Sequence, residues 1–89
     1  MPLNANNFKQ ITMDLSQDVM VLFTGSRCRL CEEFWPTYIN TAKLLHKTQH
    51  LIFATIDMSL NEIDDESVHY YPTVRYYPKN SKTRPYDYD

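Results

Sequence analysis

The sequence predicts an α/β protein in which a mixed central sheet is flanked by helices. An unbroken apolar run at residues 19–23 and a second run of strand length at residues 51–56, apolar except for Thr55, are separated by a long segment with helical periodicity. Two strands joined by such a helix form a right-handed crossover and lie parallel to each other. Residues 73–77 and 85–88 then predict a strand pair across a turn, which adds antiparallel strands to the same sheet.

The first predicted element is a short helix, which Asn6 or Asn7 can cap. Its apolar face is defined by three side chains spaced three or four residues apart: Phe8, Ile11 and Leu15. The apolar run at residues 19–23 follows, and its length and β-branched valines predict a central strand that is buried on both faces. Residues 24–26 are then a loop before the next helix.

The second helix is predicted to begin at Arg29 and to end near His50. Its apolar stripe contains six side chains at helical spacing: Phe34, Trp35, Tyr38, Ile39, Ala42 and Leu45. Pro36 lies inside this pattern and has no backbone N–H to donate, so we expect it to kink the helix.

The second half of the chain is predicted to contain shorter elements. Residues 51–56 are a second buried strand, and a short helix is expected around residues 61–66. Residues 73–77 alternate between apolar and polar side chains, which indicates a strand with one more exposed face. Residues 78–82 have turn composition, and residues 85–88 are expected to pair back across that turn as an edge strand.

Composition excludes several classes of function. The 89 residues suffice for one domain, which we assign to residues 1–89. A formal net charge of −2 argues against nucleic acid as a partner, because a duplex binder needs a basic face. The single glycine, Gly25, excludes Gly-rich phosphate loops. No apolar run approaches the roughly 20 residues of a membrane span, so no membrane contact is expected from this segment.

Cys28 and Cys31 are the only two cysteines, and three uses of the pair are possible. A disulfide that closes so short a loop would stabilise the fold by at most roughly 2 kcal/mol, so a purely structural bridge is a weak explanation. A zinc site would add His46 and His50, whose spacing is similar to that of a two-Cys, two-His finger. Against the finger, a strand runs into Cys28 and a helix leaves it, where a finger needs a hairpin.

The third use, a redox-active dithiol, fits the predicted surroundings best. At the first turn of a helix, Cys28 faces free backbone N–H groups and the positive end of the dipole, which stabilise a thiolate. Cys31 lies one turn further on and can attack a mixed disulfide formed at Cys28. Arg27 and Arg29 add positive charge, opposed by the two glutamates after Cys31. We expect Cys28 to be the nucleophile and Cys31 the resolving thiol.

Several further segments match one family in the same order along the chain. They are NANNFKQI at residues 4–11, WPTY at 35–38, ATIDMS at 54–59 and HYYPTVRYYPKNSK at 69–82. Together with Cys-Arg-Leu-Cys they resemble the catalytic-type domains of the protein disulfide isomerase family, within the thioredoxin superfamily. Pro36 falls five residues after Cys31, where that family has its helix-kinking proline. The resemblance implies a thioredoxin-like fold over nearly the whole chain, truncated before the last helix of the family.

The resemblance also implies a function. The chain would be a thiol–disulfide oxidoreductase domain that acts on protein disulfides, as part of a longer protein in the endoplasmic reticulum lumen or another secretory compartment. Cys28 and Cys31 would be its catalytic residues, and no metal or organic cofactor is expected. Its partners would be protein substrates with thiols or disulfides, while the composition leaves the oligomeric state open.

The remaining site residues follow from the same resemblance. The Tyr71–Pro72 peptide should be cis and face the cysteines, where it would present the backbone of residue 71 to an extended substrate. Arg27, directly before the first cysteine, is the third candidate substrate-binding residue. Arg29 and Leu30, between the two cysteines, would tune the acidity and the reduction potential of the dithiol.

The sequence departs from the family pattern at four positions within and before the dithiol. Arg27 stands where the family usually has tryptophan, and Leu22 stands where it has a buried carboxylate that accepts a proton from the second cysteine. Arg29 and Leu30 also replace the usual Gly-His pair. Leu22 and Arg27 favour an alternative function, a catalytically weak domain that binds client or partner proteins through the same groove.

Overall fold

The computed structural model describes residues 1–48, 50–63 and 68–88 of the chain. In chain order, its elements are β1 (Pro2–Leu3), α1 (Phe8–Thr12), β2 (Asp18–Thr24), α2 (Arg29–Leu44), β3 (Leu51–Asp57), β4 (Thr73–Tyr77) and β5 (Tyr86–Tyr88). The strands form one sheet in the order β1-β3-β2-β4-β5. Strands β1, β2 and β3 are parallel, whereas β4 is antiparallel to β2 and β5 is antiparallel to β4. The predicted α/β class with a mixed sheet is therefore confirmed.

One face of the sheet packs against α1 and carries the larger core. Because side chains alternate along β2, Val19, Val21 and Phe23 share this face, and all three are fully buried. The ring of Phe8 lies 5.9 Å from that of Phe23 and 6.1 Å from that of Tyr77 on β4. Five residues are too few for a helix to be stable alone, so these aromatic contacts hold α1 in place.

The opposite face of the sheet packs against α2. Leu22 of β2 is fully buried there, and the ring of Tyr38 meets that of Phe53 on β3 edge-on at 5.7 Å. The Tyr38 hydroxyl lies 2.9 Å from the backbone oxygen of Met20 and 2.8 Å from that of Ala54, so it can donate to either strand. Burial raises the pKa of Tyr38, which keeps this donor protonated. Tyr38 thus ties α2 to both central strands.

The first helix begins after Asn7, one of the two predicted cap residues, but it ends earlier than predicted. Helix α1 ends at Thr12, and Leu15, which was expected on its buried face, is 75% exposed. Thr12 is buried instead, because its hydroxyl donates to the backbone oxygen of Phe8 at 2.9 Å and so needs no water. Asn7 is the N-cap residue but makes no side-chain cap bond. Asn4 organises this end, since its backbone oxygen accepts from the Phe8 N–H at 3.0 Å.

The second helix begins at Arg29 as predicted and continues through Pro36, but it ends at Leu44 rather than near His50. Whether Pro36 bends its axis stays a prediction. Residues 61–63 of the expected short third helix are not helical, and residues 64–66 lie outside the described part of the chain. Neither described helix is long and apolar enough to cross a membrane.

Strand β1 was not predicted from the sequence. It has two residues, Pro2 and Leu3, which pair with Thr55 and Ile56 of β3. Leu3 is buried in the core on the α1 face, which anchors the start of the chain to the edge of the sheet. So short a strand has no periodicity of its own and exists because β3 offers it an unpaired edge.

Candidate functional site

The two cysteines are joined in a disulfide where β2 passes into α2. Cys28 is the N-cap residue of α2 and Cys31 lies in its first turn, with their Cα atoms 5.2 Å apart. The backbone N–H of Cys31 points at the Cys28 sulfur at 3.1 Å. This N–H is one of the donors at the start of a helix that have no intrahelical acceptor. It would stabilise negative charge on the Cys28 sulfur once the disulfide is opened.

The two sulfur-bearing residues differ in their access to solvent. Cys28 is half-buried, whereas Cys31 is only 5% exposed. A large thiol-bearing molecule can therefore approach Cys28 but not Cys31. This difference in access matches the roles expected for the nucleophile and the resolving thiol. The difference follows the position of the two residues, because Cys28 is the N-cap residue at the end of α2 and Cys31 lies within its first turn.

The charged residues expected at the site are all exposed. Arg27 has a backbone φ of 55°, in the left-handed region that few non-glycine residues adopt. Arg29 forms an ion pair with Glu33 at 3.5 Å, one helical turn further on. Because both partners of this pair are solvated, it contributes little to stability. Leu30, between the cysteines, is 63% exposed and so presents an apolar surface beside Cys28.

The Tyr71–Pro72 peptide is cis, as the family resemblance implied. The ring of Tyr71 packs on the backbone of Gly25, in the loop that leads to Cys28. A Cβ atom at Gly25 would lie 2.9 Å from Cδ2 of Tyr71, which is closer than carbon atoms approach. The one glycine of the chain therefore lets the segment before β4 contact the loop before the dithiol.

Pro72 itself lines a different groove from the one that contains the disulfide. This second groove lies between α2 and the β4–β5 end of the sheet, and its lining is mainly apolar: Met20, Phe34, Tyr38, Thr41, Phe53, Pro72, Val74 and Tyr88. Of the two residues Tyr71 and Pro72, Tyr71 is thus the one that contacts the loop between β2 and α2 directly, through Gly25. The structure brings Arg27, Cys28 and Cys31 together at one cavity and places Pro72 on the other groove.

An open cavity runs along the disulfide. Its walls come from the β2–α2 loop and from one side of α2: Thr24, Gly25, Ser26, Arg27, Cys28, Cys31, Glu32 and Trp35. Sequence reasoning placed Trp35 on the apolar stripe of the helix, but the side chain is 43% exposed at this cavity. The signal that locates it is spacing, because positions 28, 31 and 35 lie on the same face of a helix.

The zinc alternative does not fit the chemical state of the site. Both sulfur atoms that it would need as thiolates are used in the disulfide. His46 lies in the turn after α2, with its Nδ1 2.7 Å from the backbone oxygen of Lys43, as expected of a residue at a helix end. Within residues 1–48, 50–63 and 68–88, no cluster of three or more potential ligands could hold a metal ion.

A mixed sheet with a two-cysteine motif at the start of a helix and a cis-proline directly before β4 defines a protein of thioredoxin-like architecture. The sequence profile of the thioredoxin family matches residues 1–88, so the chain belongs to that family. It is 33% identical over 87 residues to Protein disulfide-isomerase 1 of Caenorhabditis elegans, covering 98% of this chain and 18% of the relative. It is also 33% identical over 76 residues to human Protein disulfide-isomerase A2, covering 85% of this chain and 14% of the relative.

Solved structures agree with this assignment. The first thioredoxin domain of mouse Protein disulfide-isomerase A4 superposes with a TM-score of 0.79 at 28% identity. The alignment covers 99% of this chain and 62% of that one. The chain therefore corresponds to a thioredoxin domain, is similar to such domains of protein disulfide isomerases, and spans less than a fifth of the length of the curated relatives described above.

Proposed function

We propose that this chain is a thiol–disulfide oxidoreductase domain that acts on protein disulfides in the secretory pathway. The observation that carries the proposal is the disulfide at the start of α2, with Cys28 accessible and Cys31 buried behind it. Names of relatives and structural neighbours support it, because they are protein disulfide isomerases. The same names support a location in the endoplasmic reticulum lumen.

The oxidised form would transfer its disulfide to a client in two exchanges. A client thiolate attacks the Cys28 sulfur, a mixed disulfide forms, and the bond to Cys31 breaks with Cys31 leaving as a thiolate. A second client thiolate then attacks the client sulfur of the mixed disulfide and expels Cys28. The client loses two electrons, which remain on the reduced Cys28–Cys31 pair, and the client protons pass to solvent. Reduction of a client disulfide follows the same steps in reverse.

The surrounding residues would serve these exchanges in distinct ways. The N–H of Cys31 stabilises the departing Cys28 thiolate, and Arg27 adds positive charge at the same end of the helix. Tyr71 and Pro72 would hold the client backbone beside the loop between β2 and α2, which Tyr71 contacts through Gly25. The sulfurs carry the electrons themselves, so the reaction needs no metal or organic cofactor.

Insulin reduction together with variants that trap intermediates tests this function. The unaltered protein should reduce insulin in the presence of a thiol reductant, and its dithiol should have a reduction potential between about −120 and −270 mV. Cys31→Ser should accumulate mixed disulfides with clients, because nothing resolves them, and Cys28→Ser should form none. Equal trapping by both variants would contradict the assignment of the nucleophile.

A second candidate function is supported by one specific feature. Leu22 is fully buried on the face of the sheet covered by α2, so this position offers Cys31 no carboxylate as a proton acceptor. A domain with slow exchange could then serve chiefly to bind client or partner proteins. Saturable client binding that survives Cys28→Ser, together with negligible insulin reduction by the unaltered protein, would favour this alternative.

A further inference from the structure

We propose that Trp35 and Glu32 form a binding site for one lysine or arginine side chain of a client whose cysteine is bonded to Cys28. The site would give this domain a preference for cysteines with basic neighbours. The inference rests on the proposed exchange function, which brings a client segment to Cys28 in the first place.

The placement of these two side chains follows from helical geometry. Glu32 and Trp35 are three residues apart on α2, and they follow Cys28 by four and seven residues. These spacings put all three on one face of the helix, with Trp35 about 10 Å along the axis from the disulfide end. Both side chains are exposed and line the cavity that contains the disulfide. A client residue two or three positions from its bonded cysteine can span that distance.

The charges along the cavity are distributed asymmetrically. Both Arg27 and Glu32 line the cavity, and Arg27 precedes Cys28 in the β2–α2 loop whereas Glu32 follows it in the first turn of α2. The neighbouring Glu33 is engaged by Arg29, at 3.5 Å. No ion pair within 4 Å involves Glu32 in the part of the chain that the structure describes. Glu32 is therefore the carboxylate at this cavity that can pair with an incoming cation.

The combination of an exposed indole and a carboxylate selects a particular partner. Tryptophan is the best aromatic partner for a cation over its ring, and each such contact contributes about 0.5–1 kcal/mol at an exposed position. A surface ion pair adds about 0.2–1 kcal/mol. Lysine and arginine also carry aliphatic stems that cover apolar surface such as the ring of Trp35. An acidic client residue would gain neither contact and would be repelled by Glu32.

Equilibrium exchange on Cys28 measures this preference directly. In Cys31→Ser, Cys28 is first loaded with glutathione and then exchanged against peptide thiols, so that one disulfide forms as another breaks. Two peptides are compared that differ only in arginine against citrulline, a neutral group of the same shape, two residues from the cysteine. We expect the mixed disulfide with the arginine peptide to be favoured by about threefold to thirtyfold. The preference should decrease as salt is added.

Substitutions within the site assign the preference to the two side chains. In the Cys31→Ser background, Glu32→Gln and Trp35→Ala should each reduce the arginine-to-citrulline ratio, and together they should bring it to about one. Trp35→Phe should retain part of the preference, because phenylalanine also presents an aromatic face. Glu33→Gln is the matched control, since it removes one negative charge from the adjacent position outside the cavity, and it should leave the ratio unchanged.

The outcomes separate this inference from the proposed function. If glutathione and both peptides form mixed disulfides but the ratio is one, the exchange function stands and the cation site is refuted. An equal decrease of the ratio in Glu33→Gln and Glu32→Gln would also refute it, because the effect would then be one of overall charge. If Cys28 forms no mixed disulfide with any thiol, the exchange function and the cation site are both wrong.

Discussion

Replacing Gly25 by alanine should lower the stability of the fold and displace the Tyr71–Pro72 segment, which contacts the loop before the cysteines. The new Cβ would lie 2.9 Å from Cδ2 and 3.2 Å from Cε2 of the Tyr71 ring. Carbon atoms prefer separations of about 3.5–4.0 Å, so the ring or the loop must move by roughly 0.6–1 Å. Tyr71 is 36% exposed, which lets its ring turn outward at the loss of its contact with Gly25.

The expected magnitude combines two opposing effects. Inserting a carbon atom into an occupied contact typically costs about 1–3 kcal/mol. Gly25 does not have a positive φ, so alanine is not strained there, and it restricts the unfolded chain, a gain of about 0.4–1 kcal/mol. We therefore expect Gly25→Ala to lower the free energy of unfolding by about 0.5–2 kcal/mol, and to slow thiol exchange by up to about a hundredfold if Tyr71 moves.

A double-mutant cycle with Tyr71→Ala tests the reason for this loss. Urea denaturation measures the free energy of unfolding of the single and double variants, and insulin reduction measures exchange. Without the ring, Gly25→Ala should become neutral or stabilise the fold by about 0.4–1 kcal/mol, because only the effect on the unfolded chain remains. The same destabilisation in both backgrounds would refute the contact between Gly25 and Tyr71 as its cause.

Further predictions concern the sheet and its attachment to α2. Tyr38→Phe should lower the free energy of unfolding by about 1–3 kcal/mol in urea, because the backbone oxygens of Met20 and Ala54 lose their donor. Burial raises the pKa of Tyr38 above its ordinary 10.0, so the unfolded chain loses this proton first, and stability should fall as pH rises above 10.0. If the stability of Tyr38→Phe falls above pH 10.0 as much as that of the unaltered protein, the decrease does not come from Tyr38, and its assignment to this residue is wrong. Asp87→Asn should lower the free energy of unfolding by about 1–3 kcal/mol, measured by thermal unfolding. The reason is that Asp87 accepts from Nε and Nη2 of the largely buried Arg75 at 2.6 and 3.2 Å. Unchanged thermal stability would show that water replaces the carboxylate.

Strand β2 could be predicted from the sequence because burial on both faces leaves a continuous apolar run, whereas β3 is apolar except for Thr55 and β4 was recognised from its alternating pattern. Residues 19–23, 51–56 and 73–77 coincide with β2, β3 and β4 to within one residue at each end. The start of α2 was equally clear, since the change from strand to helix pattern falls at the cysteines. The cis state of the Tyr71–Pro72 peptide came from the family resemblance and not from local physics, which favours trans.

Other features depend on tertiary contacts that the local sequence does not contain. Strand β1 is too short for a pattern and forms because β3 offers a free edge. Helix α1 ends at Thr12, which is buried with its hydroxyl bonded to the backbone of Phe8, so Leu15 lies beyond the helix and is exposed. Trp35 has helical apolar spacing, but the groove beside the disulfide leaves its ring exposed. Periodicity gives the face of a helix and does not tell whether that face is covered.

The accessibility of the two thiols in the reduced protein tests the central claim most directly. After reduction, the protein is treated with less than one equivalent of iodoacetamide, and mass spectrometry of its peptides locates the label. Because Cys28 is half-buried beside the N–H of Cys31 and Cys31 is 5% exposed, nearly all of the label should be on Cys28. Equal labelling of both cysteines, or preferential labelling of Cys31, would contradict the assignment of Cys28 as the thiol that reacts with clients.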